Sequence, residues 1–211
     1  MKTDELLTLL SADTAPVRPL RRMLSVALAI GFLVSALVMI ATVGMRPDLA
    51  VAMIEPRVVA KLSVTLLAAA SSAVLVFRIG RPGVPLGRTL RALLLPAALL
   101  AAAVAIELSV LPPDHWKASL IGRNALFCLF FIPVLSAVPL IGFLWAMRAG
   151  APERPGWAGA ACGFSAASMA AFIYAFHCPD DSPLFVMTWY VIAIGLVTLT
   201  GAAAGRRLLR W

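Results

Sequence analysis

Apolar positions in this chain fall in long unbroken runs, not in alternating or one-sided stripes. Six runs approach the roughly 20 residues a helix needs to cross a bilayer. They cover about 23–43, 58–77, 92–111, 125–145, 157–176 and 184–205. Continuous runs exclude a β-barrel, whose strands alternate outward apolar and inward polar positions. The expected fold is therefore an all-α integral membrane protein, a six-transmembrane-helix bundle over 23–211. A polar segment, 1–22, precedes it, and the remainder leaves no room for a soluble domain. The first run follows a polar stretch, is a full span long and lacks a small-residue cleavage site before Gly44. It reads as a span and not as a cleaved leader.

Composition agrees with this pattern and removes the soluble classes. The chain is 62% hydrophobic and 13% charged, against roughly 45–50% and 25% in soluble domains. The net charge of +8 would suit a nucleic-acid partner, but its placement points elsewhere. Lys2, Arg18, Arg21, Arg22, Arg78, Arg81, Arg88, Arg91, Arg148, Arg154, Arg206, Arg207 and Arg210 belong to one set of segments. Only Arg46, Arg57, Lys61, Lys117 and Arg123 belong to the other. Short loops rich in Lys and Arg stay in the cytoplasm. Both termini are thus expected in the cytoplasm, with loops 44–57, 112–124 and 177–183 outside. The basic excess is a topology signal with some attraction to anionic lipid, and no direct nucleic-acid contact is expected.

The polar amino-terminal segment has its own pattern. Thr3 can cap a short helix with Asp4 and Glu5 in its first turn, where negative charge is favoured. Leu6, Leu7, Leu9 and Leu10 form an apolar face, and Pro16 and Pro19 end the element. So short a helix is not stable alone in water. It must lie on the membrane, pack under the bundle or dock into a partner. Asp4, Glu5 and Asp13 weigh against a membrane anchor, which favours cations on its polar face.

Within the spans, Glu107 is the one carboxylate, and intramembrane acids are functional candidates by default. A partner such as Lys61, or water, could satisfy it near the outer end of the span, and Arg57 and Lys61 have stems long enough to snorkel to the interface. Gly159 and Gly163 in the fifth run and Gly201 and Gly205 in the sixth repeat the interval at which helices approach closely. Packing within the bundle is the first expectation for them, and a homodimer seam through Gly159 and Gly163 the second.

The densest chemistry is a short turn between the last two runs. His177, Cys178, Asp180, Asp181 and Ser182 fall together there, bracketed by Pro179 and Pro183, which restrict the backbone. Cys128, about one turn inside the fourth run, lies at similar depth on the outward, oxidising side, where disulfides persist. His177, Cys178, Cys128, Asp180 and Asp181 also form a candidate ligand set for a soft transition metal, zinc or copper. No spacing specifies a closed four-ligand site, and no resident cofactor is established. Cys162 reads as a small core residue. Ser165 in Gly163-Phe-Ser-Ala166 lies twelve residues before His177, too far along a helix for a serine–histidine pair. Walker, dinucleotide-binding and His-Glu-x-x-His motifs are absent.

These residues resemble a known family. Thr3-Asp-Glu-Leu-Leu7, Pro19-Leu-Arg-Arg22, Arg46-Pro-Asp-Leu49, Cys128, Arg148-Ala-Gly-Ala-Pro152, His177-Cys-Pro-Asp-Asp-Ser-Pro-Leu-Phe-Val-Met-Thr-Trp-Tyr190 and Gly205-Arg-Arg-Leu-Leu209 are similar to the NrsF-type membrane anti-sigma factors. The resemblance covers essentially the whole chain. It implies a six-span protein of the bacterial inner membrane without enzymatic activity. Such a protein would hold an extracytoplasmic-function sigma factor inactive until an envelope stress signal arrives. The family's cysteine pair matches Cys128 and Cys178, which become the expected metal or redox sensor, while Cys162 has no counterpart. The soluble zinc-binding domain of many other anti-sigma factors is lacking, so sigma-factor binding falls to Asp4, Glu5, Leu6, Leu7 and Leu10, with help from the basic loops. A metal-ion binding or transport protein and a membrane thiol oxidoreductase working through Cys128 and Cys178 are the competing readings.

Overall fold

The computed structural model describes residues 19–210, so the proposed sigma-binding residues Asp4, Glu5, Leu6, Leu7 and Leu10 lie outside the described part. Six helices are long and apolar enough to cross a membrane, and no strand occurs among the described residues. Spans one and two are Leu20–Thr42 and Pro56–Ile79. Span three is Leu94–Val110, led in by the short helix Gly87–Ala92. Span four is Ala125–Met147, preceded by Pro113–Ile121, and span five is Pro155–Ala175. Span six runs from Pro183 to Leu208, with a widened π-type turn at Val186–Tyr190. Pro56, Pro155 and Pro183 stand in the first turn of their helices, where a missing N–H costs nothing and the fixed φ suits the helix.

Span five is the axis of the bundle. It packs on spans six, two and four along much of its length and touches span one, whereas span three leans only on span two and the start of span six. The sequence explains the placement, because span five is built mainly of Ala, Gly and Ser, which let backbones close in from several directions. Cys162 and Ser165 are both buried in this axis.

The paired glycines are used inside the molecule. A Cβ on Gly163 would stand 2.5 Å from the Val197 carbonyl oxygen, and one on Gly205 would stand 2.7 Å from the Gly159 Cα. Gly159 and Gly201 oppose each other through their backbones in the same crossing. Span six therefore covers Gly159 and Gly163, and the homodimer seam expected through them would require span six to leave.

Span four carries Pro133 and Pro139 within its length, and Pro139 cannot donate to the Leu135 carbonyl one turn back. Ser35 of span one supplies that bond across the interface, Oγ to Leu135 O at 2.6 Å. Gly31 makes room, since a Cβ there would lie 2.6 Å from Pro139 Cβ. A kink that would leave a bare carbonyl in an apolar medium is thus answered by a serine and a glycine one turn apart.

The connections sort to two ends. At the arginine-rich end, the Gly83 amide donates to Glu153 Oε1 at 2.9 Å and the Ala151 amide to the Gly80 carbonyl at 3.3 Å. At the opposite end, residues 43–48, 111–124 and 177–182 meet in one knot of ion pairs and hydrogen bonds.

Gly163→Ala is expected to lower stability by about 1–3 kcal/mol through overpacking. Gly195→Ala, where a Cβ meets nothing within 4 Å, is expected to be near neutral. Thermal unfolding of the two variants in one detergent compares them directly.

A buried thiol pair under a charged clasp

Span five ends at Ala175, and the amides of His177 and Cys178 both turn back onto the Tyr174 carbonyl, at 2.9 and 3.1 Å. This places Cys178 beneath the loop rather than on it. Its Sγ lies 4.0 Å from Cys128 Sγ of span four, and both residues are fully buried and free. The two candidate sensor residues are thus brought together as thiols. Contact with the Cys128 thiol, with the Lys61 charge acting in the same sense, holds the Cys178 thiol below the usual range despite its burial.

The rest of the loop is a clasp whose carboxylates are already engaged. Asp180 Oδ2 accepts from the Arg123 amide at 3.0 Å, the Asn124 amide at 2.8 Å and the Asn124 side-chain amide at 3.1 Å. Gly122 permits this approach twice over. Its φ of +58° belongs to the region that favours glycine, and a Cβ there would stand 2.9 Å from Asp180 Cγ. Asp181 is shared between Lys61 Nζ and Arg46 Nη1, the latter at 2.7 Å. Arg46 also forks onto both Asp48 oxygens at 2.8 Å, which holds the exposed Asp48 carboxyl below the usual carboxylate range. His177 Nδ1 faces the Gly44 carbonyl at 3.0 Å, and the Arg46 amide donates to the Phe176 carbonyl at 3.1 Å.

Three expectations are corrected here. Lys61 does not snorkel, and it does not pair with Glu107. Its side chain is 0% exposed and its ammonium donates to the Cys178 carbonyl at 2.7 Å, to the Asp180 carbonyl at 3.4 Å and to Asp181. Glu107 is satisfied by Arg57 Nε at 3.0 Å and by the Ser182 hydroxyl at 3.1 Å. An ammonium that can reach two carbonyls and a carboxylate is better served there than at a distant interface. The five-residue ligand set is also not assembled. Among the described residues no three His, Cys, Asp or Glu side chains converge as a metal-holding group. His177, Asp180 and Asp181 face the clasp, and only the two sulfurs face each other.

Four contributors were given no role from the sequence. Arg46 and Tyr190 entered only within the motifs of the family resemblance, and Asn124 and Tyr174 were not singled out. Both tyrosines belong to the same buried cluster as Cys128 and Cys178. For Tyr174 the one signal available was spacing, since it precedes Cys178 by one helical turn.

Lys61→Met leaves Asp181 and two buried carbonyls short of a partner. It is expected to cost about 3–5 kcal/mol, as for other buried pairs broken on one side. Arg57→Met, at a residue whose side chain is 51% exposed, should cost distinctly less. Thermal unfolding of the two variants side by side tests the ranking.

A family model described as negative regulator of sigma F, NrsF, matches residues 10–211. The chain is 35% identical over 219 residues to the anti-sigma-F factor NrsF of Caulobacter vibrioides. It is 32% identical over 213 residues to the probable anti-sigma-F factor NrsF of Azospira oryzae. Each alignment covers 100% of both chains. No solved structure matches the chain significantly. The chain belongs to the NrsF family of negative regulators of sigma F, a regulatory and non-enzymatic family of anti-sigma factors.

Proposed function

We propose that this anti-sigma factor sits in the bacterial inner membrane with both termini in the cytoplasm. There it holds an extracytoplasmic-function sigma factor and releases it when a soft metal or an oxidant reaches Cys128 and Cys178 from the periplasm. The observation that carries the reading is the thiol pair at 4.0 Å, sealed beneath the loop that ties the outward turns together. The orientation is supported by the crowding of arginines at the opposite end.

Any event that draws the sulfurs together or spreads them moves Cys178, and its carbonyl is held by Lys61 of span two. Span two packs along span five and ends at Gly80, where Leu20 of span one and Met147 of span four meet it. Packed helices move between discrete arrangements. A rearrangement of the clasp therefore reaches the cytoplasmic ends of several spans at once. The sigma factor is held by residues 1–22 in the helix-in-groove mode, with Leu6, Leu7 and Leu10 as anchors and Asp4 and Glu5 on the flank.

Cys128→Ser combined with Cys178→Ser should leave basal repression in place and abolish induction of the sigma-factor regulon by soft metals or oxidants. Transcript profiling of the variant strain beside a deletion strain reads both effects, and normal induction in the double variant would remove the thiols from the mechanism. Separately, Leu6→Asp with Leu10→Asp should release the sigma factor without loss of membrane insertion. Co-purification of the sigma factor with the membrane fraction measures it, and full retention would reduce the segment to an anchor.

A further inference from the structure

Tyr174 and Tyr190 are 0% and 1% exposed, with ring centroids 6.3 Å apart. Both rings belong to the same buried cluster as Cys128 and Cys178. Neither hydroxyl has a hydrogen-bond partner among the described residues. A buried hydroxyl without a partner costs about 1–3 kcal/mol, and this cluster contains two. Phenylalanine would fill the same space at no such cost, so the pair of hydroxyls requires an account in terms of a partner acquired later.

We propose that Tyr174 and Tyr190 are donors reserved for the thiolate form of Cys128 and Cys178. They make the thiol pair a two-sulfur site for a soft, thiophilic cation rather than a disulfide switch. Resting on the sensor reading above, this names the chemistry that the sensor selects. Each protonated thiol is a weak acceptor. When a cation enters, the two S–H protons leave to solvent, two metal–sulfur bonds form and no electron moves. Each sulfur then carries negative charge that a phenolic O–H can stabilise, and hydrogen bonds to charged acceptors are the strong ones. A disulfide gives its neutral sulfurs no such use for the donors.

The sulfur spacing agrees. At 4.0 Å apart, the sulfurs suit one ion bound to both at about 2.3 Å each, with an open angle between the bonds. The same spacing is ordinary contact for two unbonded thiols, so the preference for a cation over a disulfide rests on the tyrosine donors. Thiolate ligands select soft ions such as Cu(I). His177, Asp180 and Asp181 are committed to the clasp. The tyrosines, and no further ligand, then set the preference for the charged complex. They are positioning residues that act through the sulfurs.

The test uses the reduced full-length chain in lipid nanodiscs, with Ag(I) as a redox-inert probe titrated against a competing chelator. Tyr174→Phe and Tyr190→Phe should each weaken Ag(I) binding by about tenfold. The glutathione redox ratio at which half the protein is oxidised should stay within about twofold of the parent, because neither the dithiol nor the disulfide uses the donors. The melting temperature without metal should hold or rise, since an unpartnered buried hydroxyl is removed. Ag(I) affinity unchanged in the double Phe variant would overturn the proposal, as would equal affinity in the chain with both cysteines replaced by Ser. A redox midpoint that shifts in parallel with Ag(I) affinity would also overturn it. All of these readouts are independent of the sigma factor, so failure of the wider regulatory reading would be seen separately, in the transcript profile of the double-Ser strain.

Discussion

One buried ammonium sets the terms for the outward end of this molecule. Lys61 is enclosed in protein, and a charge taken out of water must be met nearly completely or the fold does not tolerate it. The sequence after span five meets it with two backbone carbonyls and a carboxylate that fall within four residues of one another, at Cys178, Asp180 and Asp181. The loop is thereby fixed to span two. Asp181 passes the constraint to Arg46 and the first turn, and Asp180 fixes the loop to the start of span four. Ser182 carries it to Glu107 on span three. The thiols sit under this lid because the same loop that serves the ammonium contains Cys178.

Packing below the clasp depends on a different economy of contacts. Alanine, glycine and serine along span five give little hydrophobic area per residue, and their gain is close approach. Ser35 and Gly31 opposite Pro139 show the same logic at a kink. Side chains here act less as filling than as spacers of minimum size, so the helices touch through their backbones. A bundle assembled this way transmits displacement from one end to the other with little soft material between.

Much of the fold was written in the apolar runs, because each is continuous and separated by proline, glycine or charge. Which helix meets which was not, since contacts between small residues carry no pattern beyond the glycine interval. The turn around Cys178 stood out by composition, and its pairing with Cys128 followed from depth and resemblance. Lys61 and Glu107 show the limit of that approach. Opposite charges at similar depth suggested each other as partners, but one helical turn was enough to change the pairing. Arg57 and Lys61 are four residues apart and share a face of span two, and it is Arg57, about 5–6 Å further along the axis, that meets Glu107, while Lys61 meets Cys178 and Asp181. Tyr174 and Tyr190 were missed for a related reason. Sequence shows that an aromatic is in a span, and only packing shows that its hydroxyl has nothing to bond.

The π-type turn at Val186–Tyr190 lies near the outer end of span six, just after the single turn Pro183–Phe185. Within it, Tyr190 joins the buried cluster of the thiols while Trp189 donates to the Leu120 carbonyl at 2.9 Å. Below it, Gly201 and Gly205 must face Gly159 and Gly163. An uninterrupted α-helix advances about 100° per residue and would fix both faces from one phase. The extra residue in a π-type turn breaks that arithmetic, so the thiol cluster and the glycine crossing each keep their own angular setting on a single continuous helix. Span six in effect carries a phase shifter near its outer end, and the chemistry there need not be negotiated against the packing at the other end.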